Sequence, residues 1–386
     1  MKHLLIFLLL ITFSKIFSQN LEKTIVIRDI ATSNPIAEAV VTVMKTRQIF
    51  ISNASGEVKF TLKGASNIQI SHPAYNNLTI KSLSLKDVIN IFNLKSNISE
   101  LEEIVFTKQH PQKILKNLIE NSKNRLTTPA RLKIYCREFF KMNDKYSYYN
   151  DGLINFQILG KTKKFDTNIL VEQNRSIGLL NEDVTSDVLG YDLNNIMENY
   201  YNFKYLNQIL EPKAKKDYDF LIKVYSKNKD YNVIVISPTE ESTGLLDDFS
   251  VLYDNVNKVI IEVSSKISNN TFAKVEDKKS IGAKNIFNSV TKMIYKLDNN
   301  NYYLISSREE IGLNKVEKEG NKKIEVRNYF VTNNFSTQNY SFKPDEVFKE
   351  KSLFNKKDLI LSSYWKESGL TATAEEQQII DDIEVE

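Results

Sequence analysis

The side chains of this sequence best suited to acid–base chemistry are three pairs of adjacent acidic residues, Glu240-Glu241, Asp247-Asp248 and Glu309-Glu310. Hydrolysis by two carboxylates requires that both groups face one cleft. Neighbouring residues of a strand instead point to opposite faces of a sheet. We therefore interpret these pairs as solvated charges in turns or at strand edges. A hydrolase with an unrecognised carboxylate site stays open as the third functional hypothesis.

Oxygen ligands that calcium could use are most concentrated near Asp247 and Asp248, because Asp254 and Asn257 follow closely. Calcium binds several carboxylate and carbonyl oxygens at once. The spacing matches no standard calcium-binding loop. The segment is the best calcium candidate in the chain, but the sequence predicts no metal site.

Histidine and cysteine chemistry has little support in the sequence. Of the three histidines, only His72 and His110 lie beyond the first 20 residues, and no His-Glu-x-x-His motif or Cys/His cluster occurs. The single cysteine, Cys136, alternates with Leu132 and Ile134 in a strand pattern, so we expect it in the core. No nucleophile motif or phosphate-binding loop is present. We predict no catalytic residue, no cofactor and no enzyme activity.

Composition indicates a folded, β-rich protein of two or three domains. The chain has 386 residues, with 21 Phe and 19 Tyr, and these aromatic residues favour strands. The 52 Lys and Arg exceed the 48 Asp and Glu by only 4. Such a balanced charge gives no footprint for nucleic acid.

The first 18 residues have the features of a secretory signal peptide. A short basic start at residues 1–3 is followed by an unbroken apolar run at residues 4–13. That run is short for a spanning helix and Lys15 interrupts it, so a permanent anchor is the weaker interpretation. The leader contains no cysteine for lipid attachment. We expect cleavage after Ser18 and a periplasmic location, or a peripheral one at the outer membrane.

Residues 22–107 predict a small antiparallel β-sandwich. Short β-branched runs are separated there by Ser, Asn, Pro and Gly. Val41 and Val43 alternate with their neighbours, and Ser55-Gly56 offers a turn in which the backbone can take a positive φ. About seven strands fit into this stretch, and a sandwich buries such alternating faces against each other.

Eight residues of this stretch stand in the order of a known motif series: Asp29, Pro35, Ile36, Val41, Val43, Gly56, Phe60 and Tyr75. The series resembles the carboxypeptidase regulatory-like domain, a transthyretin-like β-sandwich. Asn34 and Ala74 depart from it, because the family prefers glycine there. The resemblance implies no peptidase activity, since metallocarboxypeptidases keep their zinc in a separate domain whose His-x-x-Glu pair this chain lacks.

Residues 101–107 look like the segment that follows this sandwich in outer-membrane nutrient receptors of the TonB-dependent kind. Their sequence is Leu-Glu-Glu-Ile-Val-Phe-Thr. The chain is too short to hold the large membrane domain of such a receptor. The resemblance therefore implies a shorter envelope protein that shares the receptor-like N-terminal domain and continues with a different one.

Residues 109–126 predict an amphipathic helix that links the two domains. Proline occupies its first turn, where no backbone donor is needed. Its apolar residues share one face and consist of Ile114, Leu115, Leu118 and Ile119. We expect this face to pack on the sheet that follows.

Residues 127–365 predict a larger β-rich domain. Apolar residues recur at every second position in segment after segment, with polar residues between them. Two helices are expected within the sheet, at residues 192–201 and 204–210. The predicted fold class is mainly β with some α: an N-terminal antiparallel β-sandwich followed by a larger, curved antiparallel β-sheet domain with helices.

Residues 366–386 form an acidic C-terminal segment with seven acids against one lysine. Thr373 and Glu376 have the spacing of a capping box, which predicts a terminal helix. The apolar stripe of this helix would consist of Ile379, Ile380 and Ile383.

These observations favour a binding protein. The leading hypothesis is a non-catalytic envelope protein that binds other envelope or outer-membrane proteins through its regulatory-like domain. The alternative is a periplasmic carrier that holds an apolar ligand such as lipid on the curved sheet, and the hydrolase is third. A carrier predicts an apolar cavity on the inner sheet face, whereas a hydrolase requires two carboxylates converging in one pocket.

Overall fold

The structure, a computed structural model, describes residues 21–96, 103–160, 165–178, 192–298, 300–338, 342–353 and 369–385. The predicted signal peptide and the first two residues of the receptor-like segment lie outside the described residues. The chain divides into two compact units. The first contains the described residues up to Ser96 together with residues 369–371, and the second contains the others.

In the described part of the first unit, seven strands form two sheets. They are β1 (Leu21–Asp29), β2 (Val40–Val43), β3 (Gln48–Ile51), β4 (Glu57–Leu62), β5 (Asn67–His72), β6 (Tyr75–Lys81) and β7 (Ile89–Leu94). The strand orders are β4-β1-β7 and β3-β2-β5-β6. Alternate residues of both sheets share one apolar core, which includes Ile25, Val41 and Phe60.

One strand pair departs from the expected antiparallel arrangement, since β1 and β7 run parallel. A 3-10 turn at Ser82–Ser84 leads the chain from β6, in one sheet, to β7 in the other. Because this connection changes sheets, β7 pairs with β1 rather than with β6, the strand that precedes it in the sequence.

The turn predicted at Ser55-Gly56 leads into β4. Gly56 has a φ of 72°, and a Cβ added there would lie 2.4 Å from the carbonyl oxygen of Ile27. This position therefore requires glycine both for its backbone conformation and for the close approach of β1.

The unit boundaries differ from those expected from the sequence, 22–107 and 366–386. Residues 103–105 join the second unit, where Ile104 pairs with Lys223. Residues 369–371 join the first unit, where the Ile51 amide donates to the Gly369 carbonyl at 2.8 Å. Backbone pairing therefore assigns each of these short segments to the unit opposite the one its sequence position suggests.

The second unit is built on a ten-stranded antiparallel sheet. Its strands are β8 (Ala130–Met142), β9 (Lys145–Gly160), β10 (Asp166–Gly178), β11 (Tyr218–Val224), β12 (Tyr231–Pro238), β13 (Asp247–Asp254), β14 (Val259–Ile267), β15 (Lys284–Asp298), β16 (Asn301–Glu317) and β17 (Gly320–Ser336). Their order is β10-β9-β8-β17-β16-β15-β14-β13-β12-β11. The sheet is curved, and the fold class is the mainly β class that the sequence predicts.

The helices of the second unit are α1 (Pro111–Arg125), α2 (Ile196–Tyr201), α3 (Asn207–Leu210), α4 (Ala214–Asp217), α5 (Asn269–Phe272) and α6 (Ala374–Val385), with a 3-10 turn at Lys204–Leu206. The amphipathic helix predicted for residues 109–126 is confirmed as α1, which belongs to the second unit. α2 begins four residues later than predicted, because Asp192 instead forms a turn that accepts from the amides of Asn194 and Asn195. No helix in the described ranges is both long enough and apolar enough to cross a membrane.

Helices pack on both faces of this sheet. The inner face, as we define it, contacts α1 to α4 through a large apolar core that includes Leu115 of α1, Met197 of α2 and Ile209 of α3. The outer face contacts α6, whose predicted stripe of Ile379, Ile380 and Ile383 packs on Phe139 and Tyr149. The capping box is also confirmed, since Thr373 Oγ1 accepts from the Glu376 amide and Glu376 accepts from the Thr373 amide.

Candidate functional site

Four adjacent strands each place a polar residue at the same level of a mostly apolar series on the inner face. In β8 the series runs through Leu132, Ile134 and Cys136, then meets Glu138 before Phe140. The same break occurs in the three neighbouring strands, at Asn150 of β9, Asn328 of β17 and Glu309 of β16.

The strand register aligns these breaks. Glu138 is the cross-strand partner of both Asn150 and Asn328, and Asn328 is in turn the partner of Glu309. Adjacent strands lie about 4.8 Å apart, so the backbones of Glu138 and Glu309 are about 10 Å apart. Continuing the same register on both sides defines the polar row: Ser176, Asn150, Glu138, Asn328, Glu309, Thr291 and Ser265.

Apolar residues flank the polar row on both sides. On one side lies the core beneath the helices, beginning with Cys136 and Phe330. On the other side lies the distal cluster, which consists of Phe140, Tyr148, Leu313, Ile324 and Val326. The inner face is therefore apolar along most of each long strand, and the polar row is the level at which polar side chains continue from strand to strand across the sheet.

Glu309 connects the polar row to the helices. The hydroxyls of Tyr200, in α2, and of Tyr205, in the 3-10 turn, both donate to Glu309 Oε1 at 2.8 Å. Ser307 Oγ donates to the Tyr200 hydroxyl at 2.8 Å. Burial raises the pKa of the Glu309 carboxyl, while the two tyrosine hydrogen bonds oppose this shift.

Within the described ranges, Glu138, in the same row, has no hydrogen bonds of the kind that Glu309 receives. Among the described residues, no hydrogen-bond donor reaches its half-buried carboxylate, and burial alone raises its pKa to about 7. Asn328 beside it is 7% exposed, and its Oδ1 also has no hydrogen-bond partner in the described part of the chain. Two neighbouring acceptors on the inner face thus lack donors, which is costly in a buried environment.

The outer face carries a different polar group, a buried ion network beneath α6. Arg137 pairs with Glu376 of α6 at 3.2 Å, and its Nε donates to the Tyr135 hydroxyl at 3.0 Å. Asp151 pairs with Arg175 at 2.9 Å. Charge is balanced here within the protein, so we assign this network to the docking of α6.

The acidic pairs considered in the sequence do not converge. Glu309 points to the inner face, whereas Glu310 pairs with Arg308 on the outer face, as the alternation predicts. Asp248 and Asp254 stand near opposite ends of β13, about 20 Å apart. The calcium candidate around them is therefore wrong, and no group of three or more His, Cys, Asp or Glu in the described ranges is placed to hold a metal ion.

The cysteine and the two histidines considered in the sequence have structural roles. Cys136 is buried as predicted, and burial raises the pKa of its thiol. His110 Nδ1 accepts from the Gln112 amide and caps α1, and His72 Nδ1 accepts from the Ala74 amide. Sequence reasoning missed Glu138 as a site residue, although its acidic side chain in an apolar alternation was the available signal.

Comparison with known proteins gives little guidance. No protein-family model and no curated protein matches the sequence. A structure of lipid–protein interactions in lipovitellin is 11% identical with a TM-score of 0.26, covering 56% of this chain and 26% of that one. A LolA superfamily protein from Nitrosomonas europaea is 10% identical with a TM-score of 0.23, covering 62% of this chain and 97% of that one. Similarities this low carry no argument about function.

Proposed function

We propose that the second unit is a carrier that binds an apolar or amphipathic ligand on the inner face of its curved sheet. The observation that supports this proposal is the polar row between two apolar regions of one face. Ligand sites are mostly apolar, with a few polar groups that fix the orientation of the ligand. The inner face has this composition, and its polar groups are concentrated at one level.

The ligand would occupy space that the short helices fill in this structure. Tyr200 of α2 packs on Phe330, and Phe203 packs on Tyr295, so the predicted open apolar cavity is not formed at these positions. Helices of four to six residues gain little stability from their own hydrogen bonds and depend on packing. An apolar ligand that replaced their contacts would bury the same sheet residues, which would offset part of the cost of displacing the helices.

Export of the chain is part of this proposal. The expected signal peptide would place the carrier in the envelope, where apolar molecules must cross an aqueous space. A periplasmic or peripheral location remains a prediction from residues 1–18.

Native mass spectrometry of the full chain, purified from the cell envelope, tests the carrier. We expect an adduct that disappears on denaturation, and uptake of a long-chain amphipath by protein from which that adduct has been removed. A bare mass together with no uptake would overturn the proposal.

A second candidate function is partner binding by the first unit, which we propose to be a carboxypeptidase regulatory-like domain. The observation that favours it is an exposed apolar patch at the edge strand β7, formed by Leu83, Val88, Ile89 and Ile91. Exposed apolar patches of this kind mark interaction surfaces. Its partners would be envelope or outer-membrane proteins.

Charge substitution in this patch tests partner binding. The double change Ile89→Lys and Ile91→Lys should abolish co-purification of envelope proteins with the full chain. Val256→Lys is the control, because Val256 is also an exposed apolar residue but lies in the second unit. Unchanged partners in the double variant would remove this candidate.

A further inference from the structure

The centre of the polar row contains acceptors without donors. The carboxylate of Glu138 and Oδ1 of Asn328 belong to cross-strand partners on the same face, and neither has a donor among the described residues. Asn150, the other neighbour of Glu138, directs its amide to Asn174 Oδ1 at 3.0 Å and Ser176 Oγ at 2.6 Å. The polar row therefore contains hydrogen-bond acceptors for which the described part of the protein provides no donor.

The charge at this level is also unbalanced. Glu138 and Glu309 are the charged residues of the polar row. The basic residues adjacent to them along the strands, Arg137 and Arg308, point to the outer face and pair there with Glu376 and Glu310. An uncompensated carboxylate in an apolar environment favours a cation, because Coulomb attraction strengthens as the local dielectric constant falls.

On the basis of the proposed function, we infer that Glu138 and Asn328 form a headgroup site for a positively charged amine at the polar end of the ligand. The ammonium would donate to the Glu138 carboxylate and to Asn328 Oδ1. Its alkyl chain would lie on the apolar residues beside the row. A long-chain anion would be rejected, because its headgroup would meet Glu138 and Glu309 without a counter-charge.

Three amphipathic ligands that have the same alkyl chain and differ only in the headgroup distinguish recognition of the headgroup from binding of the chain. Affinities of dodecylamine, dodecanol and dodecanoate for the ligand-free full chain are measured by calorimetry at submicellar concentration. We expect the amine to bind at least tenfold more tightly than the alcohol, since a charge-assisted hydrogen bond contributes about 1.5–3 kcal/mol. Dodecanoate should bind most weakly.

Two substitutions test the residues themselves. Glu138→Gln keeps the shape of the side chain and should remove the preference for amine over alcohol. Glu310→Gln is the matched control, because its side chain lies on the outer face, and it should keep the preference. Asn328→Leu, which changes no charge, should lower the amine affinity about three- to tenfold. Circular dichroism establishes that each variant folds.

The outcomes distinguish this inference from the proposed function. Equal affinity for all three amphipaths overturns the headgroup site and leaves the carrier intact. An amine preference that survives in folded Glu138→Gln also overturns it. If none of the three binds, the carrier fails, and the headgroup site fails with it.

Discussion

Glu138 is an acidic residue whose environment does not stabilise its charge. The other residues of β8 that point to the inner face are apolar, and Glu138 is the exception among them. Without a donor, the charged form loses hydration and gains nothing in return, so burial raises its pKa to about 7. Such a residue lowers stability, which is why we connect it with binding.

Stability should therefore depend on pH through Glu138. Its pKa lies above the ordinary value of 4.5, so the folded state binds the proton more tightly than the unfolded state does. The free energy of unfolding should fall as pH rises from about 5 to about 7. Glu138→Gln should lose this contribution and be more stable than the wild type at pH 8, by about 3 kcal/mol.

Urea unfolding of both proteins at pH 5, 6, 7 and 8 measures this difference. Glu309 contributes with the same sign and remains in the variant, so the decline should be reduced rather than abolished. Tyr148 and Cys136, which face Glu138, stay neutral over this range because burial raises their pKa values. Parallel curves for wild type and variant would contradict the assignment.

Among the elements, the short helices on the inner face are the ones we expect to move. Gln112 of α1 donates to the carbonyls of Ile209 and Glu211, which holds α3 at its C-terminal end. Tyr200 and Tyr205 hold α2 and the following turn to Glu309. Hydrogen bonds to one carboxylate oxygen thus connect helix docking to the polar row.

Tyr205→Phe should make ligand uptake faster. The change removes one of the two hydrogen bonds to Glu309 and keeps the ring stacked on Tyr200, so detachment of the helices should cost about 1 kcal/mol less. We expect uptake about fivefold faster in stopped-flow fluorescence. Tyr329→Phe, on the outer face, is the control, and equal rates in all three proteins would argue against helix displacement.

Docking of α6 should depend on its buried ion pair. Glu376→Gln weakens the charge partner of Arg137, which is itself buried, and should destabilise the second unit by about 3 kcal/mol. Glu375→Gln changes an exposed residue of the same helical turn and should have little effect. Thermal unfolding compares the two variants, and equal midpoints would show that the pair does not hold the helix.

At the scale of the whole molecule, the C-terminal segment contributes to both units in succession. Residues 369–371 pair within the first unit, where the Thr371 hydroxyl accepts from the Lys59 amide at 2.8 Å. α6 then packs on the outer face of the second unit. Both units therefore depend on the last described residues of the chain.

Two truncations should separate these contributions. Deletion of residues 374–386 should destabilise the second unit while leaving the Ile51 and Lys59 amides protected from hydrogen exchange. Deletion of residues 369–386 should also remove that protection, because the acceptors Gly369 and Thr371 are lost. Exchange measured by mass spectrometry resolves the two amides, and equal protection in both truncations would contradict this pairing.

The sequence by itself determined the local structure. Apolar alternation predicts the strands, one apolar helical face predicts α1, and the Thr373 and Glu376 spacing predicts the start of α6. These features depend on residues close in sequence, where backbone geometry fixes which side chains share a face. Alternation also indicates that Glu309 and Glu310 point apart.

Only the tertiary structure decided which distant residues meet. β17 and β8 are adjacent in the sheet although most of the second unit's sequence lies between them. Their pairing places Asn328 beside Glu138. A register shift of one residue would move every side chain to the other face, and local sequence does not specify that register between strands so far apart. The polar row, the attachment of Glu309 to the helices and the return of residues 369–371 to the first unit all arise from such long-range pairing.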